Sequence, residues 1–168
     1  MRKPKVKAKG KGKYVIIDGN GKEILVENVD ALFQFKNGFA IFRVIDNDKN
    51  CLKRYGYMKE TGERLSSKIY DHADNFDGKF AKVKNDGMTN YIDRNGGEVL
   101  SWNYKDVEDF LYDTFVINYY STDGRDYWGI ITIEEEFIVP PTYRTKIEAI
   151  NVALDNFEEF VKTKNDGE

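Results

Sequence analysis

One pattern recurs four times along this chain, and it limits the possible folds more than any other feature. Tyr14-Val-Ile-Ile-Asp18-Gly-Asn-Gly21-Lys-Glu-Ile24 aligns with Tyr55-Gly-Tyr-Met-Lys59-Glu-Thr-Gly62-Glu-Arg-Leu65. Both align with Thr89-Asn-Tyr-Ile-Asp93-Arg-Asn-Gly96-Gly-Glu-Val99 and with Trp128-Gly-Ile-Ile-Thr132-Ile-Glu-Glu135-Glu-Phe-Ile138. The register persists downstream. The first copy carries Val29 where the others carry Tyr70, Tyr104 and Tyr143, and Phe35, Phe76 and Phe110 follow at a second fixed offset. Short apolar runs then come at Phe39-Ala40-Ile41-Phe42, Phe80-Ala81-Lys82-Val83 and Phe115-Val116-Ile117.

Each copy alternates apolar with small or polar residues and then reaches an Asn-Gly or Thr-Gly turn, which supplies the positive φ of a tight hairpin. Further turns at Asp86-Gly87 and Asp123-Gly124 lead into the next copy. The chain therefore reads as a continuous series of antiparallel hairpins whose periodic Tyr and Phe residues share a core, because one copy alone cannot bury its apolar face.

The residues Trp128-Gly129-Ile130-Ile131, Ile138-Val139-Pro140-Pro141-Thr142-Tyr143, Tyr55-Gly56-Tyr57-Met58 and Phe76-Asp77-Gly78-Lys79-Phe80-Ala81-Lys82-Val83 carry a resemblance. They resemble the WG-repeat (KWG-repeat) family of bacterial β-repeat proteins, over about residues 13–143. The copies depart from that pattern where Thr89 replaces the opening aromatic and Glu135 replaces the turn glycine. The resemblance implies a structural scaffold and no particular activity.

The period changes after Pro140-Pro141. Ile147, Ile150, Leu154, Phe157 and Val161 fall on one helical face, Thr145 with Glu148 forms a capping box, and Asn165-Asp166-Gly167 is a stop. A competing strand signal exists, since Asp155–Lys162 echoes Asp74–Lys82, but helix is better supported. Such a helix over 146–163 would cap the repeat array or dock a partner. The organisation expected is a basic flexible tail at 1–13, a β-repeat domain at 14–143 and a capping helix at 144–164. The fold class is all-β in one domain: four tandem hairpin units in an open curved or propeller-like array, closed by an amphipathic C-terminal helix.

Charge is uneven. Arg2, Lys3, Lys5, Lys7, Lys9, Lys11 and Lys13 are all basic, while the whole chain carries −3, so the remainder is acidic. An acidic body disfavours nucleic acid lying across the fold and leaves contact with nucleic acid or an anionic surface to the tail. No run of about 18 apolar residues occurs, so no membrane role is expected, and Cys51 alone cannot form an internal disulfide. A cytoplasmic protein of bacterial or phage origin is expected.

The chemistry-bearing residues form no catalytic set. His72 is the sole histidine and no nucleophile is marked beside it. Asp46-Asn47-Asp48 opens like a calcium loop, but Cys51 stands where glycine belongs and Tyr57 where the twelfth-position glutamate belongs. Neither a metal site nor a cofactor is implied. Where the copies differ is more informative: the hairpins at 43–54 and 118–127 are longer than the compact Lys84-Asn85-Asp86-Gly87 connection between the second and third copies, and in repeat proteins insertions gather on the binding face. The expected function is a non-enzymatic binding or adaptor protein, with a small inhibitor or sequestering protein as its specific version, using Tyr119, Tyr120, Arg125, Tyr127, Asp46 and Asp48. A protein partner is expected first, with a small-molecule or sugar ligand and homo-oligomerisation as further options. The competing readings are a hydrolase using paired carboxylates, and nucleic-acid or anionic-surface binding through the Lys-rich tail.

Overall fold

The computed structural model describes residues 2–47 and 52–165, with the backbone alone for Tyr120 and residues 157–165. The strands form four small antiparallel sheets, none closed into a barrel, and one helix follows them among the described residues. The first sheet holds β1 (Lys5–Gly10), β2 (Lys13–Ile17) and β3 (Glu23–Val26) in that order. The second holds β4 (Ala31–Leu32), β5 (Ala40–Asp46) and β6 (Leu52–Met58). The third holds β7 (His72–Ala73), β8 (Phe80–Asn85) and β9 (Met88–Asp93). The fourth adds a strand: β10 (Tyr104–Asp109), β11 (Thr114–Tyr120), β12 (Asp126–Thr132) and β13 (Phe137–Tyr143), before the helix α1 (Lys146–Asn165). Sequence copies and sheets are offset: the opening strands of copies two and three, β6 and β9, close sheets begun by the copy before, and that of copy four, β12, is the third strand of such a sheet.

The same turn is built four times in the aligned register. The N–H of Gly21, Gly62, Gly96 and Glu135 donates to the carbonyl of Asp18, Lys59, Asp93 and Thr132 respectively, each at 3.0 Å. The returning bonds run from the N–H of those four residues to the carbonyls of Lys22, Glu63, Gly97 and Glu136. Asp18 and Asp93 further accept two backbone N–H bonds each through Oδ1, and Thr132 does so through its hydroxyl. Turn geometry requires φ near +80°, and Glu135 adopts +63° where the other copies place glycine. In copies two and three the strand after the turn shrinks to one bridge, Met58 to Arg64 and Ile92 to Glu98.

The glycine after the opening aromatic is dictated by close approach. A Cβ on Gly56 would lie 2.5 Å from the Phe42 ring, and one on Gly129 would lie 2.6 Å from the Val139 carbonyl oxygen. Asn90 occupies the same position in copy three and is fully buried; its side chain bonds both the N–H and the carbonyl of Leu100. Leu100 and Val139 stand at equivalent places in their copies, so a side-chain amide there does what close backbone approach does in copy four.

The chain divides into two compact units. Unit 1 is Met1–Asp86 with Tyr91–Glu98, and unit 2 is Gly87–Asn90 with Val99–Glu168. Unit 1 has a core of Val6, Ile16, Val26, Val29, Leu32, Ala40, Phe42 and Met58. It also buries Arg54, which pairs with Asp71 at 2.8 Å and donates to the Ile69 carbonyl and Asn85 Oδ1. Arg94 reaches the Gly78 and Asn37 carbonyls and lies over Phe39 and Phe76, tying the turns closed by the Lys36–Phe39 and Asp77–Phe80 bridges together.

Two expectations are corrected in local structure. The segment 1–13, expected as a flexible tail, supplies β1, paired in register with β2 from Lys5↔Ile17 to Gly10↔Lys13. Gly10 and Gly12 make the turn rather than disorder, and Val6 is buried in the core. Gln34 completes the strand: its Oε1 accepts from the Val6 N–H at 3.0 Å and its Nε2 donates to the Val6 carbonyl at 2.8 Å. The second correction concerns α1. Its capping box forms as expected, with Thr145 N–H on Glu148 Oε2 and Glu148 N–H on Thr145 Oγ1. Ile150 of the expected face packs against the core of Val116, Ile130 and Val139, but the residues fully buried there are Ala149 and Ala153, while Ile147 and Leu154 are 68% and 49% exposed. Small residues let the helix axis approach the sheet closely, which large side chains on that face would prevent. Phe157 and Val161 belong to the stretch described by its backbone alone.

Candidate functional site

The β11–β12 hairpin holds together the greatest number of the expected binding residues. Seven residue pairs join its strands, from Thr114↔Thr132 to Tyr120↔Asp126, which makes it a rigid support. Tyr119 stands opposite Tyr127 on one side and opposite Tyr104 on the other, so three tyrosines form a row across β10, β11 and β12. Cross-strand partners share a face, which brings the side chains of such a row within contact distance.

The row runs from buried to open. Tyr104 is buried and donates its hydroxyl to Glu135 Oε2 at 2.7 Å; burial and that carboxylate together push its pKa up. Tyr119 is 41% exposed and Tyr127 half-buried. Tyr127 is held at two points: its hydroxyl donates to Asp123 Oδ2 at 3.0 Å, and the Arg144 guanidinium lies 4.6 Å from its ring centroid. That second contact is a cation–π stack.

The turn that aims this row is over-determined. Gly124 at φ +74° donates to the Ser121 carbonyl at 3.0 Å, and Asp123 Oδ1 accepts the Arg125 N–H at 3.0 Å. Desolvation pushes the Asp123 carboxyl up, but bonds from the Arg125 N–H, Ser121 and Tyr127 outweigh it and leave the group below its ordinary range. The Arg125 side chain sits 3.8 Å from Asp123, and Lys105 pairs with Asp126 at 2.9 Å beside the row. The rim is thus mixed in sign around an aromatic centre, an arrangement common in protein recognition surfaces.

Tyr119, Arg125 and Tyr127 are therefore brought together. Tyr120 is the next residue of the hairpin and is described by its backbone alone. Asp46 ends β5 in the second sheet, opposite Leu52 and within unit 1, and Asp48 and Cys51 lie outside the described residues. Sequence reasoning missed Asp123 and Arg144. Asp123 was legible as a turn residue, though its hold on Tyr127 was not; no local pattern marks Arg144, which reaches the row only because β13 returns beside β12.

Among the described residues, no group of three or more His, Cys, Asp or Glu could hold a metal. His72 is exposed with Nε2 2.9 Å from Asp74 Oδ1, beside a shallow groove of about 370 Å³ that Phe33, Ile41 and Tyr55 help to line. A carboxyl acting as general acid near neutral pH has to be pushed upward. Asp123 and Glu135 are both held down instead. Burial raises Glu135, but the Ser101 hydroxyl, the Tyr104 hydroxyl and the Ser101 N–H more than compensate. No described helix is long and apolar enough to cross a membrane.

Comparison with known proteins adds one result. Residues 55–88 match the family described as WG containing repeat, a segment that runs from the opening strand of the second copy to the start of β9. No curated protein and no solved structure matches the chain.

Proposed function

With residues 55–88 a WG containing repeat, we propose that the repeated positions serve as scaffold and that the protein is a binding module which captures a protein partner on the β11–β12 hairpin. The observation that carries this reading is the tyrosine row. Tyr119 and Tyr127 stand on a seven-pair ladder, and Tyr127 is fixed at its hydroxyl by Asp123 and across its face by Arg144. Tyrosine gives a large amphipathic contact for little entropy, and less still when the free protein already holds its rotamer. Arg125 and Arg144 add donors for carboxylates or carbonyls of the partner.

The test is comparative capture from the native host with the full chain as bait. A partner retained by the wild type should be lost with Tyr119→Ala/Tyr127→Ala, whose fold is checked by its melting curve. A central aromatic contact is worth about 2 kcal/mol or more, so each single variant should weaken the isolated complex about 30-fold. A partner that binds wild type and double variant equally would refute the assignment.

A further inference from the structure

Strand β1 carries a line of cations that form no ion pair among the described residues. Lys5 and Lys7 occupy alternate positions, so they leave the same face about 6.8 Å apart, and Lys9 continues the line into the bulge before Gly10. Arg2 and Lys3 extend it in the other direction; with Lys5 and Lys7 they line an open groove of about 450 Å³. All five side chains are exposed.

Nearby acids leave this line alone. Lys13 at the start of β2 pairs with Glu27 at 3.0 Å, whereas Arg2, Lys3, Lys5, Lys7 and Lys9 form no ion pair among the described residues. Asp18, the acid in the groove, commits its Oδ1 to the N–H groups of Asn20 and Lys22. The bias extends to the unit. Unit 1 holds 20 basic and 14 acidic residues, while unit 2 holds 6 and 15, so the acidity of the chain resides in unit 2. Unpaired cations crowded within 8 residues repel one another, and an external polyanion relieves that repulsion.

The neighbouring residues narrow the choice of occupant. Across the same face, Lys5 stands in a row with Ile17 and Glu23, and Lys7 in a row with Val15 and Leu25. A broad anionic surface such as a membrane, or a duplex, would reach Glu23 on the third strand and be repelled. An acidic peptide adding to the β1 edge as a strand would find the N–H and carbonyl of Val6 already taken by Gln34. Those rows hold no aromatic ring on which a base could stack. We propose that β1 binds the phosphate backbone of a single-stranded nucleic acid lying along the strand, without base preference.

The salt dependence tests this quantitatively. The full chain is titrated against a fluorescently labelled oligothymidylate by anisotropy, from 50 to 200 mM salt (about 0.05 to 0.2 M). Five phosphate contacts, from Arg2, Lys3, Lys5, Lys7 and Lys9, give a slope of log K on log salt of about −3.5, a loss of about 130-fold over that range. Lys5→Gln/Lys7→Gln should reduce the slope to about −2.1 and weaken binding at the low-salt end, with an unchanged melting curve. Lys53→Gln, on β6, should change neither. A salt-independent affinity, an equal loss from Lys53→Gln, or no binding at low salt would overturn the proposal. So would tighter binding to phosphatidylserine vesicles or polyglutamate than to the oligonucleotide.

Discussion

Glu135 occupies a glycine position in the repeated turn, and replacing it separates two opposing terms. Its backbone sits at φ +63°, a conformation that costs a residue with a side chain about 1 kcal/mol. Against this, its carboxylate accepts from the Ser101 N–H, the Ser101 hydroxyl and the Tyr104 hydroxyl, each at 2.7 Å. A bond to a charged acceptor contributes about 1.5–3 kcal/mol, but the three share one half-buried group that water can partly replace, so their combined worth is nearer about 3–4 kcal/mol. Glu135→Gly removes the bonds and relieves the backbone, for a net loss of about 2–3 kcal/mol. For a chain of this size that lowers the melting temperature by about 4–12 °C.

Glu135→Gln keeps the strain and weakens the bonds, and it brings in pH. Because the folded carboxyl lies below its usual value of 4.5, its extra stability is present above that pH and is lost as pH falls through the folded value. The stability difference between wild type and Glu135→Gln should therefore be constant near neutrality and shrink below about pH 4.5. Thermal melts over pH 3–7, about four units, measure both effects. A Glu135→Gly protein more stable than wild type would refute the reasoning, because the turn's preference for glycine would then outweigh the tie to β10.

Three further perturbations probe other parts of the fold by the same melts. Gly129→Ala drives a Cβ against the Val139 carbonyl and should cost about 1–3 kcal/mol or more, whereas Gly124→Ala enters open space and pays about 1 kcal/mol for its φ of +74°; equal effects would contradict the close-approach account. Ala153→Leu should destabilise by about 1–3 kcal/mol, while Ile147→Ala on the exposed face should stay within about 0.5 kcal/mol; the reverse order would restore the Ile-Leu face as the docking face. Arg54→Ala removes a buried cation with three partners and should cost about 3 kcal/mol, the low end for a broken buried pair because Asp71 keeps access to water; a neutral outcome would show that Arg54 does not hold β6 to the segments bearing Asp71 and Asn85.

What was legible in the chain was whatever short-range pattern encodes. The alignment of Asp18, Lys59, Asp93 and Thr132 placed four turns with the same two backbone bonds, and Thr145 with Glu148 marked the first turn of α1. What was hidden depends on residues far apart. β1 offers one buried apolar side chain, Val6, among lysines, and its order comes from Gln34, 28 residues away. The helix face was read correctly at Ile150 but not at Ile147 and Leu154, because size was taken as the sign of burial, whereas Ala149 and Ala153 dock by being small. The tyrosine row needed both the β10–β11 and β11–β12 registers, and Arg144 joins it only through β13.

The central claim is that recognition resides where the copies differ. Backbone amide shifts of the isotope-labelled full chain, followed while its captured protein partner is added, test that claim residue by residue. Perturbations centred on Tyr119, Ser121 to Tyr127 and Arg144 are expected. Perturbations centred instead on the repeated turns at Asp18, Lys59, Asp93 and Thr132 would contradict it.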